Sequence, residues 1–193
     1  MISIARLLLF FVITMGYNAF FRNTVKMNRR LTWVFTFSVI TLVLYLGSLL
    51  GFMLQTVYAI SVLGCLLSLY YLWAVWKKKY RFRRLDYIAL GMMAYLLLFG
   101  ITLWHSPLLH YDNFTHWATI VKFFHINNAL PTQQDTIISY YTYPVGSSLF
   151  IYFFTTIVGF SEGSMLVGQF FLIASSLYAM FCLLYTSDAA DEA

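Results

Sequence analysis

Six apolar runs govern what this chain can become. They cover residues 4–21, 31–54, 57–76, 87–104, 145–160 and 165–184. The hydrocarbon core of a bilayer takes roughly 20 apolar helical residues to cross, and these runs reach or approach that length. Within the first five, the only Lys, Arg, His, Asp or Glu is Arg6. A segment in lipid must satisfy its backbone polar groups internally, so each run is expected to be a helix. Of the 193 residues, 61% are hydrophobic and only 10% are charged. Soluble domains carry about 25% charged residues, so almost nothing here could cover six apolar helices in water. The expected fold is all-α: a polytopic transmembrane bundle of about six spans. Residues 1–105 would hold four spans, 106–144 a long extracytoplasmic loop, and 145–181 two more.

Charge sets the expected orientation. The chain has 12 Lys and Arg against 7 Asp and Glu, a formal +5. Most of the basic residues form two clusters. Arg22, Lys26, Arg29 and Arg30 lie between the first and second runs, and Lys77, Lys78, Lys79, Arg81, Arg83 and Arg84 between the third and fourth. Basic clusters between apolar runs mark cytoplasmic loops, so no nucleic-acid partner is expected. A second role in holding anionic membrane lipids is open to them. Two intervening spans let both clusters face the cytoplasm. The N-terminus, a tight connection at Gln55–Thr56 and the 105–144 loop then face outside. Arg6 before an apolar stretch is also a signal-peptide feature. The string after Gly16, YNAFFR, has no small-x-small cleavage site, so the first run is expected to stay as a helix. Gly91, Gly100, Gly159 and Gly168 are expected to permit close helix contacts. Trp76, Trp104 and Tyr143 sit at span ends, where amphipathic rings suit the interface. The lack of charged groups inside the spans argues against an ion-coupled transporter.

The C-terminal string CLLYTSDAADE, residues 182–192, resembles the in-frame translation of a transposon-end sequencing adapter. Residues 182–193 are therefore expected to be a non-native tail, with the native chain continuing past Phe181. Asp188, Asp191, Glu192 and Cys182 leave with it. Cys65 then stands alone, as a small hydrophobe with no disulfide partner.

The loop holds all 4 histidines and all 3 prolines. A connection of this length is uncommon unless it is functional. Phe114, Trp117, Val121 and Phe124 recur at helical spacing, with Asp112, His116 and Thr119 on the opposite face. The spacing predicts a surface helix over about 112–126, capped by Asp112 or Asn113. It would lie on the outer membrane surface, aromatic side down, with Asp112 and His116 toward water or substrate. Pro131 then breaks regular structure and Pro144 introduces the next span.

The strings YDNFTHW, ALPTQQDTIIS and YTYPVGSSLFIYF, spanning about residues 109–154, are similar to bacterial membrane proteins that look like GT-C glycosyltransferases. In that class a long outer loop starts with an acidic residue near the membrane and runs into a surface helix. Asp112 matches the acid, and Tyr143–Pro144 match the re-entry into the membrane. Here the loop follows the fourth run rather than the first, and Asn113 stands where a second carboxylate is usual; Asp135 is the candidate substitute. The resemblance implies transfer of a sugar from a polyprenyl-phosphate donor to a glycan or lipid acceptor, at the outer face of a bacterial cytoplasmic membrane. Asp112 would be the general base, and Asn113, His116, Lys122 and Tyr143 would bind substrate and stabilise the departing phosphate.

Each residue also has a plainer reading. Asp112 is equally a helix cap, His116 a polar surface residue or a partner of Asp112, Lys122 a headgroup contact, Tyr143 an interface anchor and Asp135 a solvated acid. No metal site is assigned. A divalent ion stays open through His110, Asp112 and His116, which lack any specific ligand spacing. The alternative function is non-enzymatic: a lipid-linked glycan carrier or a membrane scaffold.

Overall fold

The computed structural model describes residues 4–77, 87–138 and 141–191, with side chains through residue 184. Most of the second basic cluster, Lys78 to Arg84, lies outside the described residues. The chain is all-helical among the described residues. The helices are α1 (Ile4–Asn23), α2 (Thr32–Leu49), α3 (Met53–Trp76), α4 (Tyr87–Trp104), α5 (Ala118–Asn127), α6 (Gly146–Val158) and α7 (Glu162–Asp191). A π-helical turn, Asn113–Trp117, leads into α5. Helices α1 to α4 and the Glu162–Leu184 part of α7 are each long and apolar enough to cross a membrane.

Helix α6 falls short of the fifth expected span. Its 13 residues reach about 20 Å at 1.5 Å each, against about 30 Å of hydrocarbon. It is also enclosed: Leu149, Phe150, Tyr152, Phe153, Phe154 and Val158 are all buried, although they point around the whole helix. Phe150 packs on Phe37 of α2 and Phe10 of α1, Phe154 on Phe171 of α7, and Tyr152 on Phe124 of α5. Helix α7 then starts where α4 stops. A Cβ placed on Gly163 would lie 2.0 Å from the Trp104 carbonyl oxygen, and further along Tyr95 stacks on Phe170 and Ala89 packs with Tyr178. So α4 and α7 run antiparallel, and the chain between them leaves and returns to one end of the bundle.

Lipid gives helices no hydrophobic reason to associate, so close packing and interhelical hydrogen bonds must hold them. The glycines that serve this purpose differ from those expected. A Cβ on Gly16 would meet the Gly64 carbonyl oxygen at 2.1 Å, and one on Gly47 would meet Thr56 Oγ1 at 2.0 Å. Around the α1–α3 crossing, Ser68 Oγ donates to the Val12 carbonyl (2.5 Å) and Tyr17 Oη to the Ile60 carbonyl (2.8 Å). By contrast, Gly91 and Gly100 of α4 have nothing within 4 Å, while Gly168 does meet Phe154. Gly159 closes α6 at φ 117°, a backbone role rather than a packing one.

The α2–α3 connection falls at residues 50–52 rather than at Gln55–Thr56. Gly51 takes φ 80°, and the Phe52 N–H bonds back to the Gly47 carbonyl at 2.8 Å. The turn thus rests on a residue free to adopt the left-handed region. The outward faces of the long helices stay apolar, as at Leu49, Leu69, Leu97 and Leu98. Continuous exposed apolar surface of this kind suits a lipid solvent.

Candidate functional site

The α4–α7 end of the bundle collects the chemistry. Helix α7 is set there by a reciprocal cap: Ser161 Oγ accepts from the Ser164 N–H (3.1 Å) and Ser164 Oγ from the Ser161 N–H (2.8 Å), which satisfies two otherwise orphaned donors. Glu162 follows in the first turn, where a negative charge favours the helix dipole. Its Oε2 accepts the Leu108 N–H at 2.8 Å, which ties the start of the long connection to α7. The string SEGS before an apolar run is a helix-start signal that places α7 three residues ahead of the expected 165.

The segment before α5 is not the regular amphipathic helix that its spacing predicted. The Ala118 N–H bonds to the Asn113 carbonyl five residues back, and Thr119 Oγ1 donates to the Phe114 carbonyl at 2.7 Å. A widened turn takes in one extra residue, so everything before it rotates by about 100° against the α-helix that follows. Val121 and Phe124 still share one apolar face, now joined by Ile120 and Phe123. Phe114 turns out to 59% exposure and His116 turns in to 5%. The apolar side of α5 rests on α6 and the protein core, not on lipid as expected. His116 therefore does not face water. Its ring packs edge-on against Trp117 and Tyr143, with centroids 4.7 and 4.9 Å away, and burial lowers its pKa.

Asp112 opens this turn and its side chain is 59% exposed. It makes no capping hydrogen bond. Its Oδ2 lies 3.4 Å from His110 Nδ1, and the same Nδ1 lies 3.3 Å from the Asp112 N–H. The two contacts need opposite protonation states of Nδ1, so His110 serves the carboxylate only when that nitrogen carries a proton. His116 does not join them, and among the described residues no three His, Cys, Asp or Glu side chains converge. Lys122 points outward and is exposed. Asp135 closes its own turn, its Oδ2 accepting from the Thr132 N–H (2.7 Å) and Oγ1 (2.8 Å). It is engaged locally after Pro131.

Immediately after Asp112 a half-open cleft of about 100 Å³ lies between the π turn, α5, α6 and α7. Trp117, Val121, Ile151 and Met165 form walls, and Asn113, Ser147 and Gln169 bring polar groups to it. Of the residues proposed from sequence, Asn113 lines this cleft. Asp112 stands next to it in the chain, while Lys122 and Tyr143 are not among its walls. No known protein family, curated protein or solved structure matches the chain.

The sequence reading missed Gln169, Ser147, Glu162 and His125. Gln169 carried a signal, as the only amide in the sixth run, where polar groups are costly and tend to be functional. His125 fastens α5 to α6. Its Nε2 lies 2.8 Å from Thr155 Oγ1, whose own proton goes to the Ile151 carbonyl (2.8 Å). His125 must then donate, as the neutral Nε2–H tautomer. The ring packs against Tyr152 and Phe160, and Tyr152 Oη donates to Asn128 Oδ1 (2.7 Å). Burial among these uncharged groups lowers the His125 pKa to about 4 from the usual 6.5. The unfolded chain takes up a proton near 6.5 and the packed chain only near 4, so the packed state loses ground as pH falls through that window. Lowering the pH from 7 to 4 should shift the folding equilibrium by about a hundredfold through this group. The thermal midpoint of the detergent-solubilised chain should drop across the window, and His125→Gln should flatten the drop.

Proposed function

We propose that this protein is a membrane glycosyltransferase of GT-C type that takes a sugar from a polyprenyl-phosphate donor at the outer face of a bacterial cytoplasmic membrane. The observation that carries the reading is Asp112 itself: an exposed carboxylate with no capping duty, next in the chain to a cleft at one end of a bundle of apolar helices. Basic residues between α1 and α2 assign the opposite end to the cytoplasm. A lipid-borne donor would then reach this end of the bundle from the membrane, and an acceptor hydroxyl would meet Asp112 beside the cleft. Attack on the anomeric carbon forms the new C–O bond and breaks the bond to the phosphate. Asp112 takes the hydroxyl proton and the phosphate leaves with the electron pair. Asn113 stands nearest to help hold substrate. His116, enclosed by Trp117 and Tyr143, acts through the shape of the turn. No step requires a metal ion, and a divalent ion on the phosphate remains compatible with the reaction.

One feature favours the alternative, a non-enzymatic carrier of lipid-linked glycans: none of the described residues that line the cleft is ionisable. Transfer decides between them. The full-length protein in vesicles, given a radiolabelled polyprenyl-phosphate sugar on the outer side, should move label to an acceptor fraction. Binding without transfer under the same conditions would select the carrier.

A further inference from the structure

The cleft walls combine two properties that together define a ligand. The first is unspent hydrogen-bonding capacity. Asn113, Ser147 and Gln169 converge on the cleft from three different elements, and none of these side chains makes a hydrogen bond among the described residues. Gln169 is the most telling of them. It lies seven residues into α7, about 10 Å along the axis, inside a segment apolar enough to span a membrane. Its side chain, like that of Ser147, is exposed at the cleft, and Asn113 is half-buried; in a segment that meets lipid rather than water, an amide without a partner is costly. The second property is electroneutrality, since no cation or anion is among the described residues that line it. Two amides and a hydroxyl offer donors and acceptors together. An anionic group would leave the acceptors unmatched, with no cation to balance its charge.

We propose that this cleft binds the uncharged, hydroxyl-bearing head of a neutral amphiphile. The head takes hydrogen bonds from Asn113, Ser147 and Gln169 beside the Trp117 ring, and the apolar stem lies along Ile151 and Met165. This assigns the cleft to a neutral lipid acceptor rather than to the phosphate-bearing donor, and it rests on the proposed reaction only for the idea that a lipid-borne substrate arrives there.

The test uses the full chain in phosphatidylcholine nanodiscs and two photoreactive probes with the same diazirine-bearing alkyl tail, one with a glucoside head and one with a phosphate head. The glucoside probe should label the peptides containing Ile151 and Met165. Excess unlabelled alkyl glucoside should compete, and equimolar alkyl phosphate should not. Gln169→Leu, which puts a better membrane residue into α7, should cut labelling by about tenfold, the scale of one well-placed hydrogen bond. Asn113→Leu should act in the same direction. Asp112→Asn should label like the unaltered chain, so failure of the catalytic reading and failure of this one are separable. The proposal is overturned if the phosphate probe labels or competes as well as the glucoside. Labelling that ignores both leucine variants, or that falls elsewhere on the helices, overturns it too.

Discussion

Asp112→Asn in the full-length protein is expected to abolish sugar transfer while leaving membrane insertion and protein level unchanged. Asparagine keeps the size and much of the polarity of the side chain but cannot accept the proton of an attacking hydroxyl. General-base catalysis is worth about 10²–10⁴ in rate, so the loss should reach that range. The structure explains why little else should change. The carboxylate caps no helix, is 59% exposed and, among the described residues, has His110 as its one polar partner. A capping carboxylate would have cost about 1 kcal/mol on removal, and that contribution is absent here. Initial rates with radiolabelled donor, normalised to protein in the membrane, provide the measurement. A variant that transfers within about tenfold of the parent would remove Asp112 from the proton-transfer step.

Gly16→Ala should produce the largest structural effect. The added Cβ would sit 2.1 Å from the Gly64 carbonyl oxygen and 2.8 Å from the Ser68 nitrogen. Both neighbours are backbone and cannot rotate away, so α1 and α3 must separate. Separation also breaks the Ser68 bond to the Val12 carbonyl and the Tyr17 bond to the Ile60 carbonyl. Overpacking costs about 1–3 kcal/mol, and each lost hydrogen bond adds roughly 1 kcal/mol. A destabilisation of about 3–5 kcal/mol follows from these sums. Unfolding by denaturing detergent, followed by circular dichroism, reads it directly. Gly91→Ala is the control: nothing lies within 4 Å of its Cβ, and alanine is the better helix former by about 1 kcal/mol. That variant should be as stable as the parent or slightly more so. Equal destabilisation by the two substitutions would mean that the α1–α3 crossing is not what holds these helices.

Most long helices were legible because lipid demands an unbroken apolar run, and such a run shows in residue order alone. The fold was harder to read where the demand came from tertiary contact. Nothing polar marks the α2–α3 turn, and only Gly51, with its left-handed backbone, punctuates the run. The fifth run reads like a span because burial in protein and burial in lipid select the same residues; only its length of 13 separates the two. Glycines on paper all look alike, and only the facing helix distinguishes Gly16 from Gly91. In the long connection, the positions of Val121 and Phe124 followed from helical spacing, whereas His116 was misplaced by one widened turn. Of the cleft, Asn113 was legible as the neighbour of an acid. Gln169 and Ser147 join it from helices distant in sequence, which no local pattern connects.

Helix α6 is enclosed by protein over most of its surface, and this bears on how the molecule is made. Its surroundings are α1, α2, α5 and α7, and α7 leaves the ribosome after it. The middle of the protein is therefore synthesised before one of its own walls. The thirteen residues of α6 cannot settle as an isolated inserted hairpin and must wait until α7 closes over them, so maturation of the centre follows insertion of the helices around it.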